Sequence, residues 1–461
     1  MATSVMLFTR DLRVEDNPAL VAAAAGPIMP LFVADPAILS APQTASRRCR
    51  VLTDALETLG LALARCGAAL HVRVGDPAHI VAAAVRASGA DTVHLAADVS
   101  RYAATRGARI RAALDGLTVR VVEHPGITHV QPGAVTPAAG RAYLRFTPYY
   151  RRWRDIPSRR VHMAPSRLTP ARGWFGGASD TAAALDMVQR AAPQVTRGAG
   201  GEPAALRVLD AWIDTLVGLD AGDPLPASEL SPALHMGTVT PTTVLDRLGH
   251  AVDVDVAETV ARQLCWRDFN HQLLAVRPEL TTRALGREPA WVDDPAGLAA
   301  WRDGQTGYPL VDAGMRQLAA EGWMPNRVRM IAGSFLSKHL GIDWRLGAAI
   351  FRSRLVDGDV ANNTMQWQWV AGVGTDSRPR RFFNPVAQAR RHDPDGSYVQ
   401  EHVPELRGMR APEVFQPWRN GGEATGYPLP IVDHDDVRAA FLARSTATSV
   451  VQEGLRSADE R

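Results

Sequence analysis

Residues 357–369 read DGDVANNTMQWQW and place two acids, two adjacent asparagines and two tryptophans in one short stretch. Acidic side chains suit ribose hydroxyls or an arginine, amides suit the edge of a heteroaromatic ring, and tryptophans suit stacking or electron transfer. This mixture indicates a bound aromatic cofactor. The alternative is a polar turn followed by a helix with two core tryptophans, and the stretch by itself leaves both open.

The composition describes a globular chain of more than one domain. With 461 residues, 46% of them hydrophobic and 21% charged, the chain exceeds what a single ordinary core organises. The N-terminus, MATSVMLFTRDLR, has no basic leader and no cleavage-type site, so we expect no signal peptide. No apolar run reaches the length that spans a membrane, and we therefore expect no membrane association.

The cysteines favour a reducing compartment. Only Cys49, Cys66 and Cys265 occur, and none belongs to a CxxC or CxxH pair. An odd number without such pairs argues against structural zinc and against disulfides. We therefore predict no metal site and a cytoplasmic location.

Almost every basic residue is an arginine, and Lys338 is the single lysine. The alanine-rich background suggests that GC-rich coding contributes to this, so the positions of the arginines carry more information than their number. They form two clusters near aromatic residues: Arg151, Arg152, Arg154 and Arg378, Arg380, Arg381. Such clusters are typical of a track for a phosphate backbone, although each alone fits a solvated helix face equally well.

Residues 1–130 alternate short β-branched runs with helical periods. The runs that indicate buried parallel strands are SVMLFTR (4–10), PIMPLFVAD (27–35), ALHVRVGD (69–76), DTVHLAAD (91–98) and TVRVVEH (118–124). Crossover helices are predicted at residues 47–65, 77–88 and 102–114. The alternation predicts a doubly wound parallel α/β domain, whose crevice at the carboxyl edge can hold a ligand. No GxGxxG and no GxxxxGK[ST] occurs, so the usual dinucleotide and triphosphate loops are not indicated.

The rest of the chain is predicted to be helical. Residues 131–200 are rich in Pro, Gly, Arg and Ala without a steady period, which indicates an interdomain connector with some helix. From residue 201 to 461 the periodicity predicts an all-helical second domain. Eight of the eleven tryptophans lie between Trp266 and Trp418, a skew that packing alone does not explain.

Two motifs in the helical half suit a bound cofactor. ASELSPALHMG (227–237) places small and hydroxyl residues before a proline and a helix, which suits a phosphate at the helix N-terminus or a simple capping sequence. RQLCWRDFNHQ (262–272) puts Gln263, Trp266 and Arg267 on one helix face, where they offer an amide, a stacking plane and a cation. A core tryptophan beside a surface arginine gives the same pattern.

Two further motifs follow. One is residues 304–330, GQTGYPLVDAGMRQLAAEGWMPNRVRM, in which GYP (307–309) interrupts the helical pattern. Its last residues form a helix that carries Arg329, placed to meet an anion or a carboxylate such as Asp357. LGIDWRLG (340–347) places Trp344 between an acid and an arginine. Each of these motifs alone could be structural, and only their joint occurrence favours a function.

Together, and in this order, the motifs resemble the photolyase/cryptochrome family. The resemblance runs from FTRDLRVEDNPAL (8–20) to YPLPIVDHDDVRAAFL (427–442) and is greatest to the bacterial class I enzymes that repair cyclobutane pyrimidine dimers. It implies an N-terminal α/β antenna domain (1–130), a connector (131–200) and a C-terminal all-helical domain (201–461) that holds FAD in a folded-back form. It also implies a monomer that acts on UV-damaged DNA.

The resemblance assigns cofactor roles by position. The implied FAD residues are Ser228, Leu230 and Ser231 around the diphosphate, Arg267 against the flavin, Arg329 with Asp357 as an ion pair over the isoalloxazine ring, Asp359 near the adenosine half, and Asn363 beside flavin N5. A neutral amide at Asn363 supports an anionic reduced flavin without offering a proton as readily as an aspartate would. The implied electron relay is Trp367 beside the flavin, then Trp344, then Trp291 at the surface.

The resemblance also assigns the contacts to the lesion. Trp266 and Trp369 correspond to two aromatic walls of the dimer pocket, and the remaining implied contacts are Gln263, Asn326, Arg327 and Met330. The implied activity is light-driven splitting of a dimer flipped out of the DNA, with an electron lent by reduced FAD.

Three positions depart from the family pattern. Gln263 stands where dimer-repair enzymes usually have a glutamate; glutamine there is typical of (6-4) photolyases, but those have a histidine pair where this chain has Pro325 and Asn326. Pro325 also replaces a histidine common in dimer-repair relatives. The tyrosine that often contacts the FAD phosphate has no counterpart, and ungapped placement puts Thr215 there.

The second pigment and the alternative function complete the expectations. An antenna pigment in the N-terminal crevice is implied, and 8-hydroxy-5-deazaflavin is preferred over methenyltetrahydrofolate because the chain has so little lysine for folate binding.

The alternative function is a cryptochrome-type blue-light photoreceptor, or a photolyase for another UV lesion, which keeps the flavin and the tryptophans but repairs few dimers. A cofactor-free nucleic-acid binder does not explain residues 357–369.

Overall fold

The computed structural model describes residues 2–41, 46–138, 140–173, 175–189, 200–220, 223–419 and 425–443. The chain forms two compact units: Met1–Thr281 with Arg352–Asn362, and Thr282–Phe351 with Asn363–Arg461. These limits differ from the predicted segments 1–130, 131–200 and 201–461, which concern function as well as packing and stay a prediction.

The first unit contains a parallel β-sheet. Its strands are β1 Ser4–Phe8, β2 Pro27–Ala34, β3 His71–Val74, β4 Thr92–Ala96, β5 Arg120–His124 and the two-residue β6 Thr169–Pro170. Within the described residues their order is β3-β2-β1-β4-β5, with β6 paired to the start of β2. The five predicted strands are confirmed. The order reverses between β1 and β4, and a ligand crevice forms where the carboxyl ends of such strands diverge.

Alternation along the strands explains why this sheet has helices on both faces. In β1, Met6 and Phe8 pack into one apolar cluster while Val5 and Leu7 pack into another, because successive strand side chains point to opposite faces. The first cluster is covered by α3 Ser46–Arg65, and the second by α4 Pro77–Ser88 and α5 Arg101–Ala113. These are the three predicted crossover helices, displaced by at most one residue.

The described part of the first unit contains further helices. They are α1 Pro18–Ala23, α2 Pro36–Leu39, α6 Phe146–Arg154, α7 Ala178–Gln189, α8 Gly201–Leu216, α9 Ser231–Met236, α10 Pro241–Ala251 and α11 Val254–Val276. Local signals set their limits: Asn17 caps α1 before a proline, and Gly237 ends α9 in the left-handed conformation. The predicted connector thus contains α6, β6 and α7.

The described part of the second unit has helices and turns and no strand, as predicted for this half. Its helices are α12 Pro295–Arg302, α13 Pro309–Glu321, α14 Asn326–Ser334, α15 Trp344–Arg354, α16 Val360–Ala371, α17 Pro385–His392 and α18 Ser397–His402, and the last described residues, 434–443, are also helical. A π-helical turn, Phe335–His339, continues α14. The C-terminal end of α15, from Arg352, and the start of α16, as far as Asn362, belong to the first unit.

A buried carboxylate fastens the second unit internally. Asp312 on α13 accepts hydrogen bonds from the backbone N–H groups of Thr306 and Gly307 and from the hydroxyls of Thr306 and Tyr427. These bonds join the turn before α13, which contains Gly307, to the chain near residue 427. Across the described ranges, no helix is both long and apolar enough to cross a membrane.

Candidate functional site

Arg10 is the centre of a buried charge cluster in the first unit. Arg10 and Asp98 each lie two residues beyond a central strand, β1 and β4, at the point where the strand order reverses. The Arg10 guanidinium donates from Nη2 to Asp359 Oδ2 at 2.5 Å, and its Nη1 lies 3.5 Å from Asp98 Oδ2. Burial by itself would lower the pKa of Arg10, but the two carboxylates raise it above the ordinary value.

Asp359 remains ionised although its side chain is only 7% exposed. Burial would raise the pKa of this carboxyl, but His271 and Arg10 hold it well below the ordinary value. Its second oxygen, Oδ1, accepts from the backbone N–H of Asn362 at 2.8 Å, so Asp359 also caps α16. An acid at a helix N-terminus is further favoured by the helix dipole.

Residues 228–231, called the serine loop below, are bonded to the segment just before α16. Ser231 Oγ donates to Asp357 Oδ2 at 2.5 Å, and the backbone N–H of Leu230 donates to Ser228 Oγ at 3.4 Å. At the end of this segment, a Cβ on Gly237 would lie 1.8 Å from the carbonyl oxygen of Arg10, so only glycine permits this approach. The structure therefore brings the predicted diphosphate loop together with Asp357 and with the loop after β1.

Arg267 joins two backbone segments. Its guanidinium donates to the carbonyl oxygen of Ile127 at 2.5 Å and to that of Leu234 at 3.3 Å. The neighbouring Asp268 accepts from the backbone N–H of Val130 at 2.8 Å and from the indole N–H of Trp153 at 2.9 Å. Both side chains are buried, and burial lowers the pKa of Arg267. Together they hold the loop after β5 to α11.

The sequence analysis missed two cations of this site. Arg10 lies in the quoted stretch FTRDLR but was given no role, and its partner Asp359 is 349 residues away. Arg48 on α3 carried no signal. Its guanidinium donates to the carbonyl oxygens of Arg352 and Leu355, and burial, opposed by Asp357, lowers its pKa to about 10.

The donor set fits the FAD that the resemblance implies. Acids, guanidinium groups, a serine loop and imidazoles surround the crevice, and a dinucleotide offers hydroxyls and a diphosphate to such groups. His235 Nδ1 and Thr9 Oγ1 are buried polar atoms with no hydrogen bond to the protein. Burial holds the pKa of His235 well below its ordinary value, so the ring is neutral. Buried polar atoms left unbonded mark positions where a bound group can supply the partner.

Trp266 on α11 packs one face against an aromatic residue that the sequence analysis missed. The rings of Trp266 and Phe146 are stacked, with centroids 3.7 Å apart and planes 4° from parallel. Arg262 lies over Phe146 at 5.1 Å from the ring centroid, and Phe269 meets the Trp266 ring edge-on. Trp266 is half-buried and Gln263 is exposed on the same helix. One face of the predicted lesion wall is therefore fixed by α6.

The inner tryptophan of the predicted relay is buried in the second unit. Trp367 meets Phe351 and Trp301 edge-on, with centroids 4.9 and 6.0 Å apart. A Cβ on Gly347 would lie 2.3 Å from Trp367, so glycine is required for this approach of α15. Asn363, one turn earlier on α16, donates to the carbonyl oxygen of Ala348 at 2.9 Å. Trp301, fully buried, was not flagged by the sequence analysis, because nothing in its neighbourhood distinguishes it from a core residue.

The other two relay candidates, Trp344 and Trp291, each contact one member of the ion pair between Arg345 and Glu288. Trp344 is buried and lies one turn before Gly347 on α15, with the Arg345 guanidinium 4.8 Å from its ring centroid. Arg345 pairs with both oxygens of Glu288, and the half-buried Trp291 donates its indole N–H to Glu288 at 3.2 Å. Exposure thus increases from Trp344 to Trp291 within this unit. The relay itself stays a prediction.

The remaining lesion residues lie on α14 and α16. Asn326 and Arg327 are exposed in the first turn of α14, and Met330 is half-buried one turn later. Pro325 is the N-cap of α14, where the missing N–H costs no helical hydrogen bond, so this departure leaves the helix intact. Trp369 is half-buried with Arg381 over its ring.

Two predicted pairings join residues of different units. Arg329 donates from Nε to the carbonyl oxygen of Met324, whereas Asp357 accepts from Ser231, and their ion pair stays a prediction. The same holds for Trp266 and Trp369 as opposite walls of one pocket. Thr215, at the place of the missing tyrosine, donates to the carbonyl oxygen of Trp212 within α8.

Comparisons with known proteins agree over almost the whole chain. The family model described as DNA photolyase matches residues 4–169, and the one described as FAD binding domain of DNA photolyase matches residues 260–447. A deoxyribodipyrimidine photo-lyase of Streptomyces griseus is 44% identical over 456 residues, which cover 96% of this chain and 98% of that protein.

Two solved structures are similar in fold. A bacterial class III photolyase from Agrobacterium tumefaciens has a TM-score of 0.85 and 33% identity, covering 97% of this chain and 98% of that one. A cryptochrome from Synechocystis sp. PCC6803 has the same TM-score and 26% identity, covering 96% and 99%.

The buried pair between Arg10 and Asp359 predicts a measurable loss of stability. Asp359→Asn removes the charge that compensates a largely buried guanidinium, whose side chain is 21% exposed, and we expect the free energy of unfolding to fall by about 3 kcal/mol. Urea unfolding followed by tryptophan fluorescence measures it. Asp303→Asn, which breaks the exposed pair with Arg302, is the control and should have no measurable effect. Equal stability of the two variants would contradict the assigned role of Asp359.

Proposed function

The chain belongs to the DNA photolyase family and is an enzyme that carries the family's FAD-binding domain. We therefore propose that it splits cyclobutane pyrimidine dimers in UV-damaged DNA under blue light. Bound reduced FAD supplies the electron that opens the cyclobutane ring and receives it back. The observation that carries the proposal is the start of α16, where Asp357 bonds the serine loop and Asp359 pairs with Arg10.

The first-unit residues are proposed to hold the cofactor. Ser228, Leu230 and Ser231 would bind the diphosphate, and the ionised Asp359 would accept from hydroxyl groups of the adenosine half. Arg267 would lie against the flavin. Their support is the buried, largely ionised cluster described above, together with the unsatisfied nitrogen of His235.

The second unit is proposed to supply the electronic environment. Asn363 would lie beside flavin N5 with Arg329 and Asp357 paired nearby, and its neutral amide offers no acidic proton to an anionic ring. Trp367, Trp344 and Trp291 would pass an electron inward to oxidised flavin. Their support is the increase in exposure from the buried Trp344 to the half-buried Trp291.

The DNA side follows from the exposed aromatic and polar residues. Photolyases are among the enzymes that flip their target out of the duplex, and the flipped base is held by stacking and by hydrogen bonds to its edge. Trp266 and Trp369 would provide the stacking planes, and the polar contacts would come from Gln263, Asn326 and Arg327, with Met330 packing beside them. The arginine clusters at 151–154 and 378–381 would contact phosphates.

An antenna pigment is proposed for the crevice of the α/β sheet. The cavity of about 250 Å³ beyond β4 and β5 is not assigned to this pigment, because Asp98 and His271 in its wall belong to the Arg10–Asp359 cluster proposed for FAD. The single lysine, Lys338, is buried and bonded to backbone carbonyls, which favours 8-hydroxy-5-deazaflavin over methenyltetrahydrofolate. We also propose that the protein works as a monomer in the cytoplasm.

A second candidate is a cryptochrome-type photoreceptor or a photolyase for another UV lesion. Gln263 and Pro325 favour it, because both replace residues that dimer-repair enzymes usually carry. The likeness of the fold to the Synechocystis cryptochrome is compatible with it.

Repair of a thymine-dimer oligonucleotide by the purified, reduced, FAD-loaded protein tests the proposal. We expect base absorbance to return under blue light and to stay unchanged in a dark control. Flavin photoreduction without any restored absorbance would reject dimer repair and favour the second candidate.

The relay predicts that photoreduction and repair separate in one variant. Trp367→Phe should abolish photoreduction of oxidised flavin and leave repair by chemically reduced protein intact, because repair does not draw on the relay. Flavin absorbance under illumination and the dimer assay measure the two activities. Trp418→Phe, at a ring that packs edge-on against Tyr308, serves as the control and should lose neither. Unchanged photoreduction in Trp367→Phe would refute the assigned relay.

Gln263 is expected to tolerate the acid that related enzymes carry. Gln263→Glu should preserve or strengthen binding of dimer-containing DNA, because a carboxylate accepts from a base N–H at least as well as an amide oxygen. Gln263→Leu should weaken binding by about two- to tenfold, the effect of losing one hydrogen bond. Fluorescence anisotropy measures both. Marked weakening by glutamate would show that the pocket is built for another lesion.

A further inference from the structure

Lys338 is the single lysine of the chain and it is buried, with 3% of its surface exposed. It lies in the π-helical turn Phe335–His339, a rare backbone form that is frequent at functional sites. Its Nζ donates to the carbonyl oxygens of Pro379 at 3.1 Å and Arg381 at 2.7 Å. A buried ammonium group is costly unless it is hydrogen-bonded, and here both bonds go to one surface loop.

That loop, residues 376–381 with the sequence DSRPRR, is called the arginine loop below. Asp376 accepts from the backbone N–H of Arg378 at 2.9 Å, and its side chain is 3% exposed. On the far side, a Cβ on Gly372 would lie 2.6 Å from the carbonyl oxygen of Pro379. The loop is thus in close contact with the end of α16 and is bonded to the π-helical turn.

The arginine loop reaches the half-buried Trp369. The Arg381 guanidinium lies 4.8 Å from the centroid of the Trp369 ring, while the backbone carbonyl of the same residue accepts from Lys338. The side chains of Arg378 and Arg380 are exposed. One buried cation therefore fixes the backbone from which Arg381 covers Trp369.

We propose that Lys338 is a positioning residue that fixes the arginine loop, so that Arg381 stays over Trp369 and Arg378 and Arg380 are presented to DNA phosphates. This inference rests on the proposed repair function, in which Trp369 is a wall of the lesion pocket. A lysine suits the task because its ammonium group is a compact point charge with three donors on a flexible stem. The Phe441 ring lies 5.8 Å from Nζ and adds a cation–π contact.

The charges around Lys338 give the proposal a pH signature. Asp376 and Arg381 face it from the loop, and His339 lies next to it in the same turn, where its ring bonds to His434 of the helical residues 434–443. Burial lowers the pKa of His339 to about 3 and also lowers that of His434, so neither is charged near neutral pH. Burial lowers the pKa of Lys338 to about 8, with Asp376 opposing the effect.

Stability and DNA binding should then change in opposite directions with pH. The folded pKa of about 8 lies below the ordinary 10.5, so the unfolded chain binds more protons between these values and stability rises with pH across that window. Loss of the charge weakens both bonds to the arginine loop. Affinity for dimer-containing DNA should therefore fall across the window in which stability rises. A purely structural lysine would not produce this opposition.

The test uses the full, FAD-loaded chain with Lys338→Met and Lys338→Gln, and Arg302→Met as a control that removes an exposed cation of the same unit. Trypsin cleavage at Arg380 and Arg381, followed by mass spectrometry, reports the loop directly. We expect Lys338→Met to be cleaved several-fold faster than wild type and the control to be unchanged. Affinity for dimer-containing DNA should fall by about two- to fivefold, the effect of losing the cation–π contact between Arg381 and Trp369.

The outcomes distinguish a failure of this inference from a failure of the proposed repair function. Cleavage and affinity of Lys338→Met equal to those of the control would overturn the inference. Faster cleavage with a wild type that neither binds nor repairs dimers would reject the proposed function and keep the fixed loop. If Lys338→Met does not fold, Lys338→Gln and the pH dependence of the wild type decide: affinity that is flat while stability rises would also overturn it.

Discussion

Burial of the Arg10 charge is the constraint on which the first unit depends. A guanidinium withdrawn from water needs carboxylates within bonding distance, and Asp98 and Asp359 supply them. Asp98 lies two residues beyond β4, whereas Asp359 immediately precedes α16 and is 349 residues from Arg10 in the sequence. The three charges therefore fix the start of α16 at the switch point of the sheet.

The same constraint makes the crevice polar in a way that suits a dinucleotide. Arg267 and Arg48 are held by backbone carbonyls, so their positions do not depend on a ligand being bound. Ser231 is held by Asp357. Groups fixed in advance lose little side-chain entropy when a ligand arrives. The unsatisfied nitrogen of His235 remains for the ligand itself.

Local pattern was sufficient to predict the sheet, its three crossover helices and the helical second half, because strand alternation and helical period are short-range signals. The parts that the sequence could not predict are contacts between distant segments. Arg10, Arg48 and Phe146 contact partners on other elements, and the spacing of neighbouring residues does not predict these contacts. Lys338 is conspicuous in the sequence as the single lysine, but its two bonds go to backbone carbonyls of the loop after α16, and a carbonyl acceptor cannot be identified from residue types. The role assignments of individual site residues came from the resemblance and stay predictions.

Helix α16 and its cap carry three residues to which the resemblance assigns roles at the cofactor. Asp359 caps it, and Asn363 and Trp367 follow at intervals of four residues, so all three lie along one face. At 1.5 Å per residue, the cap and Trp367 are separated by about 12 Å along the axis. The cap belongs to the first unit, whereas Trp367 packs against Gly347 within the second unit. Each unit therefore fixes its own part of α16. In the first unit, Asp359 joins Arg10 to the backbone N–H of Asn362. In the second unit, Gly347 permits the close approach of α15 to the indole of Trp367.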